Sequence, residues 1–291
     1  MKTMVDNAKI ARMEKDIKET DAKVKNIKSV PPSTTADAGK VLTVSEDGSI
    51  SWQQKGAGGG MKEFFDAGGK CGNSTATSFD GAIPFTATSN VKDMSYMFYS
   101  CRKLTSVPLF DTSNVTGMNY MFLDCTHLTS VPLFDTSNVT DMSFMFSNCQ
   151  NLISVPLFDT SKVTSMSHMF SNCSSLTSVP LFDTRKVDSM GYMFYGCSSL
   201  TSIPSLDTSN VINMDSMFYD CSSLETIHMI NIGANLKISS STRFTREALL
   251  EIIGNLKTVT TTKTLTMGAT NLAKLTDEDK AIATNKGWSL A

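Results

Sequence analysis

The sequence predicts an α/β solenoid, an array of stacked 24-residue coils preceded by a coiled coil and a β-hairpin and followed by a small α/β cap. Three observations predict this fold class. Apolar residues recur every 24 residues over 84–227, residues 1–30 carry a heptad pattern, and helical periodicity replaces the repeat after residue 227. A fixed period of this length is typical of solenoids, because one unit cannot bury its apolar face alone and must stack on its neighbours.

Charge and composition argue against an enzyme and against a nucleic-acid-binding protein. The 291 residues include 26 basic and 28 acidic side chains, a net charge of -2, so the chain lacks the basic face that phosphate backbones require. Three histidines leave little material for acid–base or metal chemistry, whereas 18 methionines, 16 phenylalanines and seven cysteines are present. We therefore expect a non-enzymatic protein with no cofactor and no metal.

The beginning of the chain predicts where the protein is made. No run approaches the roughly 18 apolar residues of a membrane span, and residues 1–30 lack the apolar stretch of a signal peptide. Those residues carry eight basic and five acidic side chains instead, a net charge of +3. We expect synthesis in a reducing host cytoplasm, where cysteines stay free, without membrane insertion.

Residues 1–30 predict a coiled-coil oligomerisation helix. The apolar residues fall at a and d positions of a heptad, with Thr20 filling one d position: Ile10, Met13, Ile17, Val24 and Ile27. So narrow an apolar stripe needs partner chains, and β-branched residues at both a and d favour a homotrimer over a dimer. The alternative is a single amphipathic helix packed on its own chain.

Residues 31–60 predict a β-hairpin and a flexible linker. Pro31 and Pro32 end the helix, since proline cannot continue it. Two β-rich runs, residues 40–44 and 49–52, then flank an Asp-Gly turn. An isolated hairpin is marginally stable in water, so we expect it to pack on copies of itself. The glycine-rich residues 56–60 form the linker.

A resemblance accompanies this N-terminal module. Its stretch "PPSTTADAGKVLTVSEDGSISW", between a short coiled coil and a glycine-rich joint, resembles the N-terminal parts of tail-fibre and baseplate proteins of phages of low-GC Gram-positive bacteria. The resemblance covers about 55 residues. It implies a virion protein attached to other tail or baseplate proteins.

Five columns of identical residues define the repeat over residues 84–227. Proline, methionine, phenylalanine, cysteine and leucine each recur at 24-residue intervals in the unit P-L-F-D-T-S-N-V-T-x-M-S-x-M-F-x-x-C-x-x-L-T-S-V. We expect one apolar set per coil to point inward, represented by Leu104, Val107, Val115, Met118, Met121, Phe122 and Cys125. Residues 61–83 lack the pattern and are expected to close the first coil as an N-terminal cap.

The unit also follows the leucine-rich-repeat pattern, reading Leu104-x-x-Val107-x-Leu109-x-x-Thr112 with threonine where asparagine is usual. It resembles the BspA-like bacterial surface leucine-rich repeats, including the "DTSNVTDMSYMF..C..L" form known as DUF285. That resemblance implies surface adhesion and protein binding. Pro108 and its equivalents disfavour a central strand. We therefore expect short strands, including a second at residues 115–116, with the proline at a strand end or bulge.

Residues 228–291 lose the period and predict a C-terminal cap of helices and a strand. We expect a helix over 245–257 with Thr245 as N-cap, a strand over 263–267, and a helix over 276–286 with Thr276 and Asp279 in capping-box spacing. This tail resembles the region that closes such arrays in gut bacterial and phage proteins. A solenoid requires a cap, because its last coil otherwise exposes core and a sheet edge.

Aromatic side chains in two neighbouring columns are the candidate binding strip, since rings with a polar tip suit contacts with sugars or proteins. One column contains Tyr96, Tyr120, Phe144, His168 and Tyr192; the other contains Tyr99, Tyr195 and Tyr219. The alternative is half-buried packing at the coil edge. The leucine-rich pattern points Leu109 inward, so the next column, starting at Phe110, would form an exposed apolar stripe. The alternative is that the proline twists the strand and turns Phe110 inward, and we expect it inside.

Two other columns are expected to be structural. The aspartate column starting at Asp111 offers one carboxylate per coil, and D-T-S-N suits a turn better than a row of cation sites. The cysteine column starting at Cys101 lacks the close spacing of zinc ligands and is expected to be buried. The array over 84–227 carries six basic and twelve acidic side chains.

These features predict a phage tail fibre or receptor-binding protein. Three chains would be held on the tail by the coiled coil and hairpin, and the solenoids would attach to a host cell-surface protein or glycan. Three weak contacts presented together gain from their effective concentration. The alternatives are a bacterial surface adhesin, an intracellular protein–protein interaction scaffold, and a glycan-cleaving spike with two carboxylates about 5–10 Å apart.

Overall fold

The computed structural model describes residues 40–44, 50–54, 91–107 and 109–291. The chain divides into two compact units, residues 1–59 and 60–291. In the first unit, strand β1 (Lys40–Val44) pairs antiparallel with strand β2 (Ile50–Gln54), with Leu42 opposite Trp52. This is the pairing predicted for a hairpin. The heptad residues of the predicted coiled coil and the predicted cap over 61–83 lie outside the described residues.

The second unit contains the array, and hydrogen bonds join residues about one repeat apart in neighbouring coils. The amide of Phe98 donates to the carbonyl of Met121 at 2.8 Å, and the amide of Phe122 donates to the carbonyl of Met145 at 2.9 Å. Isolated parallel bridges link each coil to the next in one continuous column: Asp93, Gly117, Asp141, Ser165, Ser189 and Asn213. The described part of the array is therefore a solenoid of the predicted period.

Regular strands form only at the end of the described array. Strand β3 (Ser202–Asp207) pairs parallel with strand β4 (Thr226–Ile230). The register of this pair shifts between Ile203 and Leu206, the interval that contains Pro204. The shift is expected there, because proline has no amide hydrogen to donate to the neighbouring strand. The proline therefore sits at an irregularity, as predicted. The second strand predicted at residues 115–116 is wrong, since only a single bridge forms there, one residue later at Gly117.

The interior of the array consists of the predicted columns. All seven residues expected inward in the representative coil are buried. The leucine-rich pattern also placed Leu109 inward, and this expectation is wrong, because Leu109 is 63% exposed. Its neighbour Phe110 is buried instead, with its ring 6.3 Å from that of Phe98. Adjacent side chains of an extended segment point to opposite sides, so only one can enter the core. The larger phenylalanine buries more apolar surface there.

Residues after the array continue the same core. They contain β5 (Leu236–Lys237), α1 (Arg246–Gly254), β6 (Lys263–Thr266), α2 (Ala269–Leu272), α3 (Asp277–Thr284) and β7 (Trp288–Leu290). Strands β5, β6 and β7 form a parallel sheet in that order. The sequence predicted α1, β6 and α3, although it extended both helices too far. It missed β5, α2 and β7, which have two to four residues each and too little pattern to detect.

Candidate functional site

The five predicted aromatic residues of the first column form one continuous stack, which we name the aromatic ladder. It consists of Tyr96, Tyr120, Phe144, His168 and Tyr192. Neighbouring ring centroids are 4.2–4.6 Å apart, and neighbouring ring planes lie within 8° of parallel. The ladder therefore crosses five successive coils. Its regularity follows from the repeat, because each coil places the same position directly beside its neighbour.

The ladder residues have an unusual backbone conformation. Each has a positive φ, between 56° and 62°. Side chains with a Cβ pay an energetic cost in this left-handed region, which glycine, asparagine and aspartate occupy most readily. A bulky residue held there is strained, and such strain often marks a functional position.

A second column in the same coils also has a left-handed backbone, but it contains the residue types that are common in that conformation. It is occupied by small polar residues or glycine: Ser100, Asp124, Asn148, Asn172, Gly196 and Asp220. The backbone requirement alone is therefore met with the expected residue types four positions along the chain. Aromatic residues in the ladder column need another explanation, which is either stacking between the rings or contact with a partner.

The ladder presents ring edges to its surroundings. Tyr96 and Tyr192, at its two ends, are 41% and 38% exposed, and the three residues between them are half-buried. Each of those three rings is stacked on both faces by its neighbours. A sugar therefore cannot stack on an inner ring face, and a partner must meet ring edges, the tyrosine hydroxyls or the imidazole nitrogens.

The second predicted column forms no complete stack. Tyr195 and Tyr219 stack at 5.1 Å, whereas Tyr99 lies edge-on to Tyr96 at 6.1 Å. Tyr195 also packs beside Tyr192 at 5.8 Å, so it touches the end of the aromatic ladder. These tyrosines widen the aromatic surface at its two ends. Between them, the column contains no aromatic residue.

The environment of the ladder favours the neutral forms of Tyr120 and His168. Burial raises the pKa of Tyr120, and the nearby Tyr96 hydroxyl and Asp141 carboxylate raise it further. Burial also lowers the pKa of His168 below its ordinary value of 6.5, because a charged imidazole loses solvation in the stack. The neutral ladder contrasts with the acidic balance of the array.

The aspartate column is structural, as predicted. The Oδ1 atom of Asp111 accepts hydrogen bonds from the amide of Ser113 at 3.0 Å and from its hydroxyl at 2.6 Å. These hydrogen bonds lower the pKa of Asp111 and hold the turn. Asp135 and Asp159 bond the amides of Ser137 and Ser161 in the same way. Within the described residues, no group of three or more histidine, cysteine or acidic side chains could hold a metal ion.

Among the described residues, the six cysteines of the column are buried and remain thiols, with no disulfide bond between them. Each thiol from Cys125 onward donates to the carbonyl of a phenylalanine 27 residues earlier, at 3.0–3.1 Å. Burial raises the pKa of Cys101 to about 11 and the pKa values of the other five further. These thiols therefore behave as small apolar side chains with a weak hydrogen bond.

An exposed apolar surface lies elsewhere on the coils, and the sequence reasoning missed it. We name it the leucine stripe: Leu109, Leu133, Leu157 and Leu181, each 57–63% exposed. The sequence signal was the identical spacing of these leucines, but alignment to the leucine-rich pattern assigned them to the core. Each of these leucines is exposed because the phenylalanine that follows it occupies the core.

These features define a solenoid repeat protein of the leucine-rich type with an aromatic ladder on its surface. The chain belongs to the family described as Mycoplasma protein of unknown function, DUF285, whose model matches residues 70–176 and 152–242. It is a BspA-like leucine-rich repeat protein. No curated protein matches it.

The solved structures similar to the chain include one whose fold resembles it only weakly. The leucine-rich repeat protein of T. pallidum is 16% identical, with a TM-score of 0.34 over 90% of this chain and 98% of that one. Within the described ranges, no helix has the length and apolar character needed to cross a bilayer.

Proposed function

We propose that this chain is a non-enzymatic phage tail fibre or receptor-binding protein whose solenoid attaches to the surface of a host cell through the aromatic ladder. The observation that carries the proposal is the strained backbone of five stacked aromatic residues, beside a second column that meets the same requirement with small residues. Aromatic residues concentrate binding energy at protein interfaces. The N-terminal resemblance to tail-fibre and baseplate proteins supports the virion assignment.

The aromatic ladder restricts how a receptor is recognised. Stacking occupies the faces of the three inner rings, so a host protein or glycan is contacted through ring edges and hydroxyl groups. The edge of a ladder ring can pack against the face of an aromatic ring of the receptor, and the tyrosine hydroxyls can form hydrogen bonds with it. Each contact is modest, and a trimer would multiply them by effective concentration.

A bacterial surface adhesin is the second candidate, and family membership favours it. The ladder would then serve attachment in the same way, but the protein would be displayed on a bacterial cell instead of a virion. An experiment in which the protein competes with phage adsorption distinguishes the tail protein from the adhesin. A tail protein should block adsorption of its phage to the host, whereas an adhesin should bind cells or extracellular proteins without affecting adsorption.

The test is binding of the fluorescent full-length protein to whole cells of candidate host strains. In the test variant, Tyr120→Asn is combined with Phe144→Asn, because asparagine already occupies the neighbouring left-handed column at positions 148 and 172. We expect the variant to stay folded and to lose at least about tenfold in cell binding.

The control replaces a residue of similar size away from the ladder. Leu157→Ser removes an exposed apolar side chain from the leucine stripe and should leave cell binding unchanged. Equal binding by the ladder variant and the unmodified protein, with both folded by circular dichroism, would refute the role of the ladder. Binding to no Gram-positive strain and no effect on phage adsorption would refute the virion proposal.

A further inference from the structure

We infer that the leucine stripe and the adjoining aspartates form a second docking surface, which binds a basic amphipathic α-helix of a partner protein. This surface is separate from the aromatic ladder and does not depend on the proposed host attachment. It combines an apolar line, an acidic row beside it, and a spacing that suits a helix.

The apolar line is continuous over four coils. Leu109, Leu133, Leu157 and Leu181 occupy the same position in successive coils, and each exposes more than half of its surface. Single exposed apolar residues are common on soluble proteins, but contiguous apolar patches mark interaction sites. The stripe ends at Ser205, which occupies the leucine position in strand β3 and is also exposed. Serine is thus compatible with this position of the coil.

The acidic row runs parallel to the stripe. Asp111, Asp135 and Asp159 each follow a stripe leucine by two residues and share its exposed side, because the buried Phe110, Phe134 and Phe158 alternate with them. One oxygen of each carboxylate holds the local turn. Among the described residues, no salt bridge reaches these three carboxylates. In the next coil, Asp183 is already paired with Arg185 at 2.7 Å.

The spacing of the stripe favours a helix over an extended peptide. The buried neighbours Phe110 and Phe134 have ring centroids 4.9 Å apart, which reports the separation of adjacent coils at this position. One turn of an α-helix rises 5.4 Å, whereas side chains on the same face of a strand recur at about 6.6 Å. A helix of about ten residues spans the three intervals between the four leucines. Lysine or arginine beside its apolar face would meet the acidic row.

A second copy of the array fits this surface less well. The stripe is one residue wide, and stable interfaces bury about 800 Å² on each partner. Two arrays would also bring like charges together, since residues 84–227 carry twelve acidic and six basic side chains. A basic helix needs less apolar area, and its positive charges would attract the acidic row where a second array would repel it.

The test uses an 18-residue synthetic peptide with leucine on one helical face and lysine beside it, labelled for fluorescence anisotropy with the full chain. A peptide of identical composition and scrambled order, which cannot form an apolar face, is the peptide control. We expect saturable binding of the first peptide that weakens as salt is raised, and no saturable binding of the scrambled one. Equal binding of the two peptides would overturn the proposal, as would no binding.

Variants of the chain locate the site. Leu133→Ser with Leu157→Ser should weaken binding by about tenfold or more. Asp111→Asn with Asp135→Asn should weaken it at low salt and reduce the salt dependence, while asparagine can still accept the turn hydrogen bond. The matched control is Ile212→Thr, which removes an 82% exposed apolar side chain outside the stripe and restores the threonine found at 116, 140 and 164.

Two results would contradict the location or the occupant. Unchanged affinity in the leucine variant, or an equal loss in the Ile212→Thr control, would show that the peptide binds elsewhere. A leucine variant that dissociates an oligomer in sedimentation velocity would show that the stripe joins copies of this chain. Neither result bears on cell binding through the aromatic ladder, so the two proposals fail independently.

Discussion

Two positions of each coil have a left-handed backbone, and the residue at each position makes that part of the surface aromatic or polar. The same backbone conformation holds Phe144 in one column and Asn148 in the next, with φ values of 58° and 61°. Sequence reasoning identified the aromatic column from its spacing, but it could not detect the conformation. The left-handed geometry arises from hydrogen bonds between coils, such as that from the Phe144 amide to the Ser167 carbonyl at 2.9 Å.

His168 makes the stability of the ladder depend on pH. Burial lowers its pKa below 6.5 in the folded state, so the unfolded chain binds a proton more readily. The contribution of the neutral imidazole to the free energy of unfolding is fully present above about pH 6.5. It is lost as the pH falls through the pKa of His168 in the folded state. His168→Phe, which copies Phe144, should therefore lose less stability between pH 7.5 and 5 in urea unfolding. Equal losses in both proteins would contradict this.

At the scale of elements, the helices after the array were the easiest to predict, because their caps are local. Thr245 accepts a hydrogen bond from the Ala248 amide at 3.2 Å and begins α1. The parallel sheet β5-β6-β7 was not predictable, since its short strands pair across long stretches of chain. The ion pair between Arg246 and Asp279, with two hydrogen bonds of 2.8 and 2.7 Å, joins α1 to α3 and also depends on that packing.

The capping box of α3 should contribute measurably to stability. The Thr276 hydroxyl accepts from the Asp279 amide at 3.2 Å, and the Asp279 carboxylate accepts from the Thr276 amide at 2.9 Å. Thr276→Ala should reduce the free energy of unfolding by about 1 kcal/mol. The control is Thr284→Ala in the last turn of α3, where alanine favours the helix. Equal losses in the two variants would show that the cap is not responsible.

At the scale of the whole molecule, the 24-residue repeat makes the array a stack of near-identical contacts. The buried phenylalanines from Phe98 to Phe218 stack at 5.1–5.9 Å, so each coil supplies part of the core of the next. Stability in such arrays comes from neighbouring interfaces. The residues that follow the array extend the same core through Ile232, Leu236 and Leu249.

Assembly of the chain into a trimer is expected to depend on residues 1–55. The full chain should sediment as a trimer, because an apolar heptad stripe with β-branched residues at a and d favours that state. Deleting residues 1–55 should leave a folded monomer, since the unit over 60–291 has its own core. Sedimentation velocity at several concentrations measures both. A full chain that remains monomeric at high concentration would contradict the prediction.

Spacing and local capping were enough to predict the 24-residue period, the inward columns, the burial of the cysteines and the starts of helices α1 and α3. Packing between coils was needed to show that Phe110 enters the core and Leu109 stays outside. It also decided that the ladder rings stack face to face in a left-handed backbone. Both outcomes depend on contacts between residues that are distant in the sequence. Neighbouring coils share a limited interior volume, and hydrogen bonds between them fix the backbone.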